Sequence, residues 1–305
     1  MLRKLLEKIE RFRFERIITQ IVKTEPITYI YNDKVKIVSM VGHNSLFMYL
    51  LAIKTFMSNF GYGSIVAIND GSLTNDDLDI LHEHIANLTI VNANDFDTHG
   101  CPSYISWKRL FCVASLVKDS YVIQLDSDIV VNGPLSEISD KVEQNSGFVI
   151  GSGKWSEPVS TYFLHSIVKQ WNNDHVQPSA EQHYKDLAFF QPNLKYLRGC
   201  AGFAGYPKNS FTIEQITQLS HEIEQKIGRK KWQGWGSEQT ATLCLISQSN
   251  NASILPWPKY HNYGFPITNE PVNSTTLSHF IGSNRFKGST YRKLAKAFIH
   301  ANSKK

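Results

Sequence analysis

Two aspartates, Asp126 and Asp128, stand one residue apart in the stretch YVIQLDSDIVVNGPL, residues 121–135. Tyr121, Val122, Ile123 and Leu125 are β-formers in a nearly continuous apolar run, the habit of a strand covered on both faces. Side chains of extended backbone alternate with a period of two, so both carboxylates project to one side at the strand's end. Like charges placed together in this way repel, and a divalent cation between them removes the repulsion. Hard oxygen ligands suit Mg2+ or Mn2+. Asp-Ser-Asp is also good turn chemistry; the apolar runs on either side favour the metal.

The elements that must hold this pair follow from periodicity. Residues 35–41 (VKIVSMV) read as a strand ending in Gly42-His43-Asn44, and Leu46, Tyr49, Leu50, Ile53 and Met57 then fall at helical spacing. Residues 64–70 (SIVAIND) read as a second strand ending at Asp70. Thr74 and Asp77 resemble a capping box before a helix carrying Leu78, Leu81 and Ile85. A third strand is expected at 88–91, a helix at 105–117, the aspartate strand next, and a fifth strand at 147–151. Such alternation means an α/β fold with a mainly parallel sheet, in which ligands bind beyond the carboxyl ends of the strands. The second half is less regular. GCAGFAGY at 199–206 suits a close backbone approach to a ligand. Helices are expected at 211–227, 237–247 and near the end, where Tyr291, Leu294, Ala295, Phe298 and Ile299 share a face.

The whole chain has 305 residues, 42% of them hydrophobic, enough for one large domain. A net charge of +5, dispersed after the first 25 positions, points away from nucleic acid. The four cysteines (Cys101, Cys112, Cys200, Cys244) lack CxxC spacing, which fits buried thiols in a reducing compartment. No signal peptide or spanning apolar run shows, so the expectation is a cytoplasmic protein. Sequons at Asn87, Asn251 and Asn273 carry no weight without a secretory signal. The opening residues hold seven Lys/Arg against three Glu, with Leu2, Leu5, Leu6, Ile9 and Phe12 spaced for one helical face. A basic amphipathic helix of this kind lies on an anionic membrane or, more often, packs on its own domain or a partner subunit, as in a homodimer.

Taken together, the strand-end segment MVGHN, the LDSDIVV pair, GSEQ opening a late helix and HFIGSNRFKG near the end resemble the GT-A glycosyltransferases. The likeness is greatest to the retaining enzymes of glycosyltransferase family eight, in motif order over roughly residues 35–300. After the amphipathic N-terminal helix (1–24), it implies a Rossmann-like single domain with a nucleotide-sugar-binding half (25–153) and a half completing the metal and acceptor sites (154–305). It also implies Mn2+, or Mg2+, held by Asp126, Asp128 and His279 and bridging the diphosphate of a nucleotide sugar. The implied donor-binding residues are Val41, Gly42, His43, Asn44 and Asp70 at the strand ends, with Lys108 and Ser127. Gly282, Arg285 and Lys287 complete that set. Here Arg285 stands in the motif where the family has lysine, Glu238-Gln239 replaces Asp-Gln, and GCAGFAG replaces an Asn-Ser-Gly stretch.

The chemistry agrees with these residue types. Sugar transfer from a nucleoside diphosphate leaves growing negative charge, which a cation and a guanidinium such as Arg285 stabilise. A neutral His279 ligand tilts the choice towards Mn2+. Gln239 resembles the residue near the reacting carbon in the retaining enzymes, and Glu238 would be the base of an inverting one. Trp232, Trp235 and Trp257 are candidate acceptor platforms. The expectation is therefore a hexosyltransferase using a UDP-sugar and a glycan or lipid-linked acceptor, as in polysaccharide biosynthesis. Two alternatives remain at this point: a sugar-1-phosphate nucleotidyltransferase, and a non-catalytic nucleotide-sugar or carbohydrate-binding protein on the same fold. Calorimetry with UDP and Mn2+, then turnover of a UDP-sugar, separates them.

Overall fold

The computed structural model describes residues 2–264 and 275–304, so the Asn273 sequon lies outside the described residues. The strands in chain order are β1 (Ile30–Val41), β2 (Tyr62–Asn69), β3 (Thr89–Asn92), β4 (Tyr121–Leu125), β5 (Ile129–Val131) and β6 (Phe148–Ile150). They continue as β7 (Val159–Ser160), β8 (Lys195–Tyr196), β9 (Cys200–Tyr206), β10 (Ser253–Leu255), β11 (Tyr260–Asn262) and β12 (Leu277–His279). The helices of the first half are α1 (Leu2–Ile18), α2 (Leu46–Phe60), α3 (Asn75–His84), α4 (Ile105–Leu116) and α5 (Ser136–Glu143). Those of the second are α6 (Thr161–Val168), α7 (Val176–Glu181), α8 (Ile213–Ile227), α9 (Arg229–Trp232), α10 (Ser237–Ser247) and α11 (Thr290–Asn302).

Among the described residues the main sheet has seven strands in the order β10-β6-β9-β4-β1-β2-β3. Its pairs are parallel except that β9 runs antiparallel to both β4 and β6. Alternate residues divide between two cores: Ile37, Ile65 and Ile123 enter one, and Val38, Val66 and Val122 the other. Each such burial is worth about 1.5–3 kcal/mol against exposure, which explains the near-continuous apolar runs. Helix α2 is apolar over most of its surface and is buried accordingly, with Ser58 and Asn59 of its last turn exposed. It stops at Gly61, whose φ of +83° suits the left-handed cap. Thr74 and Asp77 form the expected capping box of α3.

Most of the small-residue run at 199–206 is β9, buried in the middle of the sheet, and its start, Gly199 and Cys200, borders a cavity. The glycines of β9 admit side chains of the protein itself. A Cβ at Gly205 would lie 2.3 Å from the Phe148 ring, and one at Gly202 would lie 2.2 Å from the His279 ring. The N-terminal helix does pack on the domain, but not by its Leu5-Leu6-Ile9-Phe12 stripe. Phe14 and Ile18, four residues apart, dock instead, and Phe14 stacks on Tyr291 of α11 at 4.2 Å. Glu10 pairs with Arg292 at 2.6 Å on the same side.

A smaller sheet, β11-β12-β5, is what positions the site. Strand β12 runs antiparallel to β5 with His279 opposite Ile129, and the Phe280 amide donates to the Asp128 carbonyl at 2.9 Å. A strand from the far end of the chain is thereby sewn directly onto the residues that follow the aspartate pair.

Candidate metal and nucleotide site

Strand β4 ends at Leu125, where the Asp126 amide donates to the Gly202 carbonyl at 2.8 Å, and β5 begins again at Ile129. Asp126 and Asp128 flank that short turn, with Ser127 between them. His279 Nε2 lies 3.1 Å from Asp128 Oδ1 and 3.7 Å from Asp126 Oδ2. One ligand atom from each of the three residues falls within 4.8 Å of the others, a spacing that a single cation can bridge. The outer oxygens are taken. Arg109 donates to Asp126 Oδ1 at 2.6 Å, and Arg285 donates to Asp128 Oδ2 at 2.5 Å. Two guanidinium groups therefore turn both inner oxygens towards the imidazole.

The imidazole is oriented from behind. Asn262, paired with His279 in the β11–β12 register, places its Oδ1 at 2.8 Å from Nδ1. An amide oxygen only accepts, so Nδ1 carries a proton, and once the ring is neutral it is the Nε2 lone pair that is offered beside the carboxylates. Cys200 Sγ completes the rear wall at 3.6 Å. The donor set, two carboxylate oxygens and an imidazole nitrogen with a fixed tautomer, fits a borderline-hard divalent ion. Burial pushes the Asp126 carboxyl above the usual range, against the pull of Arg109 and His279. Burial also works to raise Asp128, but His279 and Arg285 outweigh it and hold that carboxyl at about 2. Burial opposes the His279 imidazolium, yet Asp128 raises its pKa well above the ordinary histidine value. A bound cation would therefore replace that proton.

Arg109 is not among the residues expected at the site, where its neighbour Lys108 stands instead. In the structure Lys108 turns to Asn94, donating to Oδ1 at 2.7 Å, while Arg109 bridges Asp126 and Glu238. A signal existed in the sequence. Arg109 sits four residues after Ile105 and four before Val113, on the apolar face of α4, where an arginine needs buried carboxylates. Glu238 is such a partner. It is buried in the first turn of α10 with Arg109 at 3.2 Å, and burial raises its pKa. Its carboxylate is thus committed to Arg109.

The other expected residues are distributed around this centre. Val41, Gly42, His43 and Asn44 end β1, and Asp70 follows β2, all at the carboxyl edge that carries Asp126. A Cβ at Gly42 would overlap the Asp70 carboxylate, so glycine is required for that approach. Asp70 Oδ1 accepts from the Ser72 hydroxyl at 2.6 Å, and His43 Nδ1 lies 2.8 Å from Asp77 Oδ2. Gly282 opens a short 3-10 turn, and Lys287 Nζ donates to Asn284 Oδ1 just after it.

Beside His279 opens a cavity of about 670 Å3 bordered by Gln239, Asn262, Cys200, Asn284, His175 and Trp235, among others. Its size is that of a small-molecule site. Gln239 donates to Gln177 Oε1 at 3.3 Å. Arg198 lies over the Trp155 and Trp171 rings at 5.1 and 4.9 Å and is anchored on buried Glu181 at 3.0 Å. Of the three tryptophans singled out in the sequence, Trp235 stands at the rim, 75% exposed. Trp232 is instead fully buried, donating to Ser220 and set edge-on to Trp107. Trp257 packs over Gly153.

The sequence matches no family model and no curated protein. Solved structures do match. The galactosyltransferase LgtC, in complex with donor and acceptor sugar analogs, has a TM-score of 0.51 at 13% identity, over 86% of this chain and 95% of that one. An active-site mutant of LgtC gives 0.52 at 11% identity, over 88% and 96%. The bifunctional glycosyltransferase WbbM gives 0.50 at 13% identity, covering 91% of this chain, which spans about half (53%) of that protein's length. Likeness at these identities establishes the fold: a mixed α/β GT-A domain with a mainly parallel sheet.

Proposed function

We propose that this chain is a glycosyltransferase that moves a hexose from a nucleoside-diphosphate sugar, with UDP-hexose the first donor to test, to a glycan or lipid-linked acceptor. The observation that carries the reading is the convergence of Asp126, Asp128 and His279 beside two arginines, at the carboxyl edge of a GT-A sheet, next to a cavity rimmed by Gln239 and Trp235. Asp126, Asp128 and His279 would hold Mn2+ or Mg2+, the imidazole favouring Mn2+. When bound, such a cation neutralises the diphosphate and stabilises charge on the leaving group. Arg285 adds guanidinium donors to phosphate oxygens from the same side. Arg109 and Asn262 act through others, fixing Asp126 and His279. Val41 to Asn44 and Asp70 offer strand-end positions for the nucleoside, and Gln239 an amide for the donor sugar. Trp235 gives an acceptor ring an apolar face.

Retention is the stereochemistry the site favours. An inverting reaction needs a carboxylate base open to the acceptor. Glu238 is tied to Arg109, and the residues lining the cavity, among those described, include no Asp or Glu. The departing diphosphate is then the proton acceptor at hand. The test is a panel of UDP- and GDP-sugars with Mn2+, read by released nucleoside diphosphate. Turnover of one donor that is lost in Asp128→Asn supports the reading. A folded protein inert towards the whole panel, and binding none of it, removes it.

A further inference from the structure

We infer that α1 is a membrane-docking face, lying on an anionic lipid surface by the side it turns away from the domain. This does not rest on the transfer reading. The helix is fixed to the protein by Glu10, Phe14 and Ile18. At 100° per residue the opposite sector carries Leu5, Lys8, Ile9, Phe12, Arg13 and Arg16. Leu5, Ile9 and Phe12 are 53%, 38% and 60% exposed, and Leu6 at the sector's edge is 56% exposed. No acid falls in that sector. Glu10 is buried against Arg292, while Glu7 and Glu15 pair with Arg3 and Arg11 outside it.

Four large apolar side chains in water, interleaved with cations and free of carboxylates, complement an anionic bilayer. A second protein surface would have to supply an apolar and acidic face of the same shape. The groove beside the helix adds Lys287 to Arg13, its other cations, Arg3 and Arg292, being paired there with Glu7 and Glu10. No described helix is long and apolar enough to cross a membrane, so the mode is lying on the surface. The docked side also reaches the candidate site. Phe14 touches Phe286 at 5.5 Å, and Phe286 follows Arg285, which contacts Asp128. A membrane on the outer face of α1 therefore lies one helix away from the arginine bound to Asp128.

The experiment is co-sedimentation of the full chain with vesicles of phosphatidylcholine alone or with about one third phosphatidylglycerol. Leu5→Gln/Phe12→Gln and Lys8→Gln/Arg16→Gln are compared with wild type, and circular dichroism reports folding. Wild type should bind the anionic vesicles at least tenfold better than the neutral ones, and lose that binding at high salt. Each cation near the surface is worth roughly fivefold, so the basic double variant should drop about 25-fold. The apolar pair should weaken binding comparably. Failure to bind anionic vesicles overturns the inference, as does binding that both folded variants retain. Sedimentation as a dimer that both variants convert to monomer would assign the face to a second copy instead and equally overturn it.

Discussion

Gly202→Ala tests the metal geometry without removing a ligand. The Cβ it adds would stand 2.2 Å from His279 Cε1, 2.7 Å from Nδ1 and 2.8 Å from Nε2. Ordinary carbon contacts begin near 3.5 Å, so the ring must recede by about 1 Å. It cannot do so while keeping its bond to Asn262 and its distance to Asp128. Metal bonds tolerate displacements of about 0.2 Å, and disturbing the groups that orient a ligand costs 10–100-fold in affinity. Mn2+ affinity, followed by the spin-resonance signal of the free ion, should therefore fall at least tenfold. In a His279→Ala background the same change should have almost no further effect. Gly205→Ala is the control on the same strand: its Cβ meets Phe148 and Tyr121, so it should lower the melting temperature yet leave Mn2+ affinity intact. A folded Gly202→Ala protein that binds Mn2+ as tightly as wild type would refute the placement of His279 in the site.

Three other outcomes follow from the contacts. Asn262→Leu keeps the volume but removes the acceptor for Nδ1, so Mn2+ affinity should drop 10–100-fold while Asn262→Asp retains it; equal affinity in the leucine variant would leave Asn262 without an orienting role. Arg109→Met strands Asp126 and Glu238 together, which should cost about 3–5 kcal/mol in urea unfolding; a loss below about 1 kcal/mol would show that the bridge is not structural. Lys54 is buried in α2 with its ammonium on the Glu25 carbonyl, and burial lowers its pKa to about 8. The unfolded chain binds that proton more tightly, so folding stability from this group rises with pH above about 8 and levels off near 10.5. Relative to Lys54→Met, wild type should gain on the order of 2 kcal/mol between about pH 7 and 9.5; a difference independent of pH would contradict the buried charge.

What the sequence disclosed was what local rules govern. Alternation of strand and helix, the capping box at Thr74 and Asp77, and the placing of two carboxylates at a strand's end all follow from periodicity within a few residues. His279 entered only through motif order, because nothing local ties β12 to β5. Strand β9 was missed since Gly and Ala carry little strand propensity; the reason for them, room for the His279 and Phe148 rings, exists only once distant segments meet. Arg109 and its neighbour Lys108 are both basic, and the one local sign that Arg109 faces the carboxylates is its place on the apolar face of α4. On α1 the more apolar stripe is the exposed one, since docking was decided by what α11 offers Phe14 and Ile18. Trp232 read as a platform because its glycine-rich surroundings resemble a loop, yet its indole closes the core against Trp107.

The most direct measurement is calorimetric titration of UDP, and in parallel GDP, into the protein with and without Mn2+, repeated on Asp128→Asn. Mn2+ should tighten one of the two nucleotides at least tenfold in wild type, and the substitution should abolish that gain while leaving the melting temperature close to its original value. Nucleotide binding that is indifferent to Mn2+, or a gain that survives Asp128→Asn, would contradict a cation held by Asp126, Asp128 and His279.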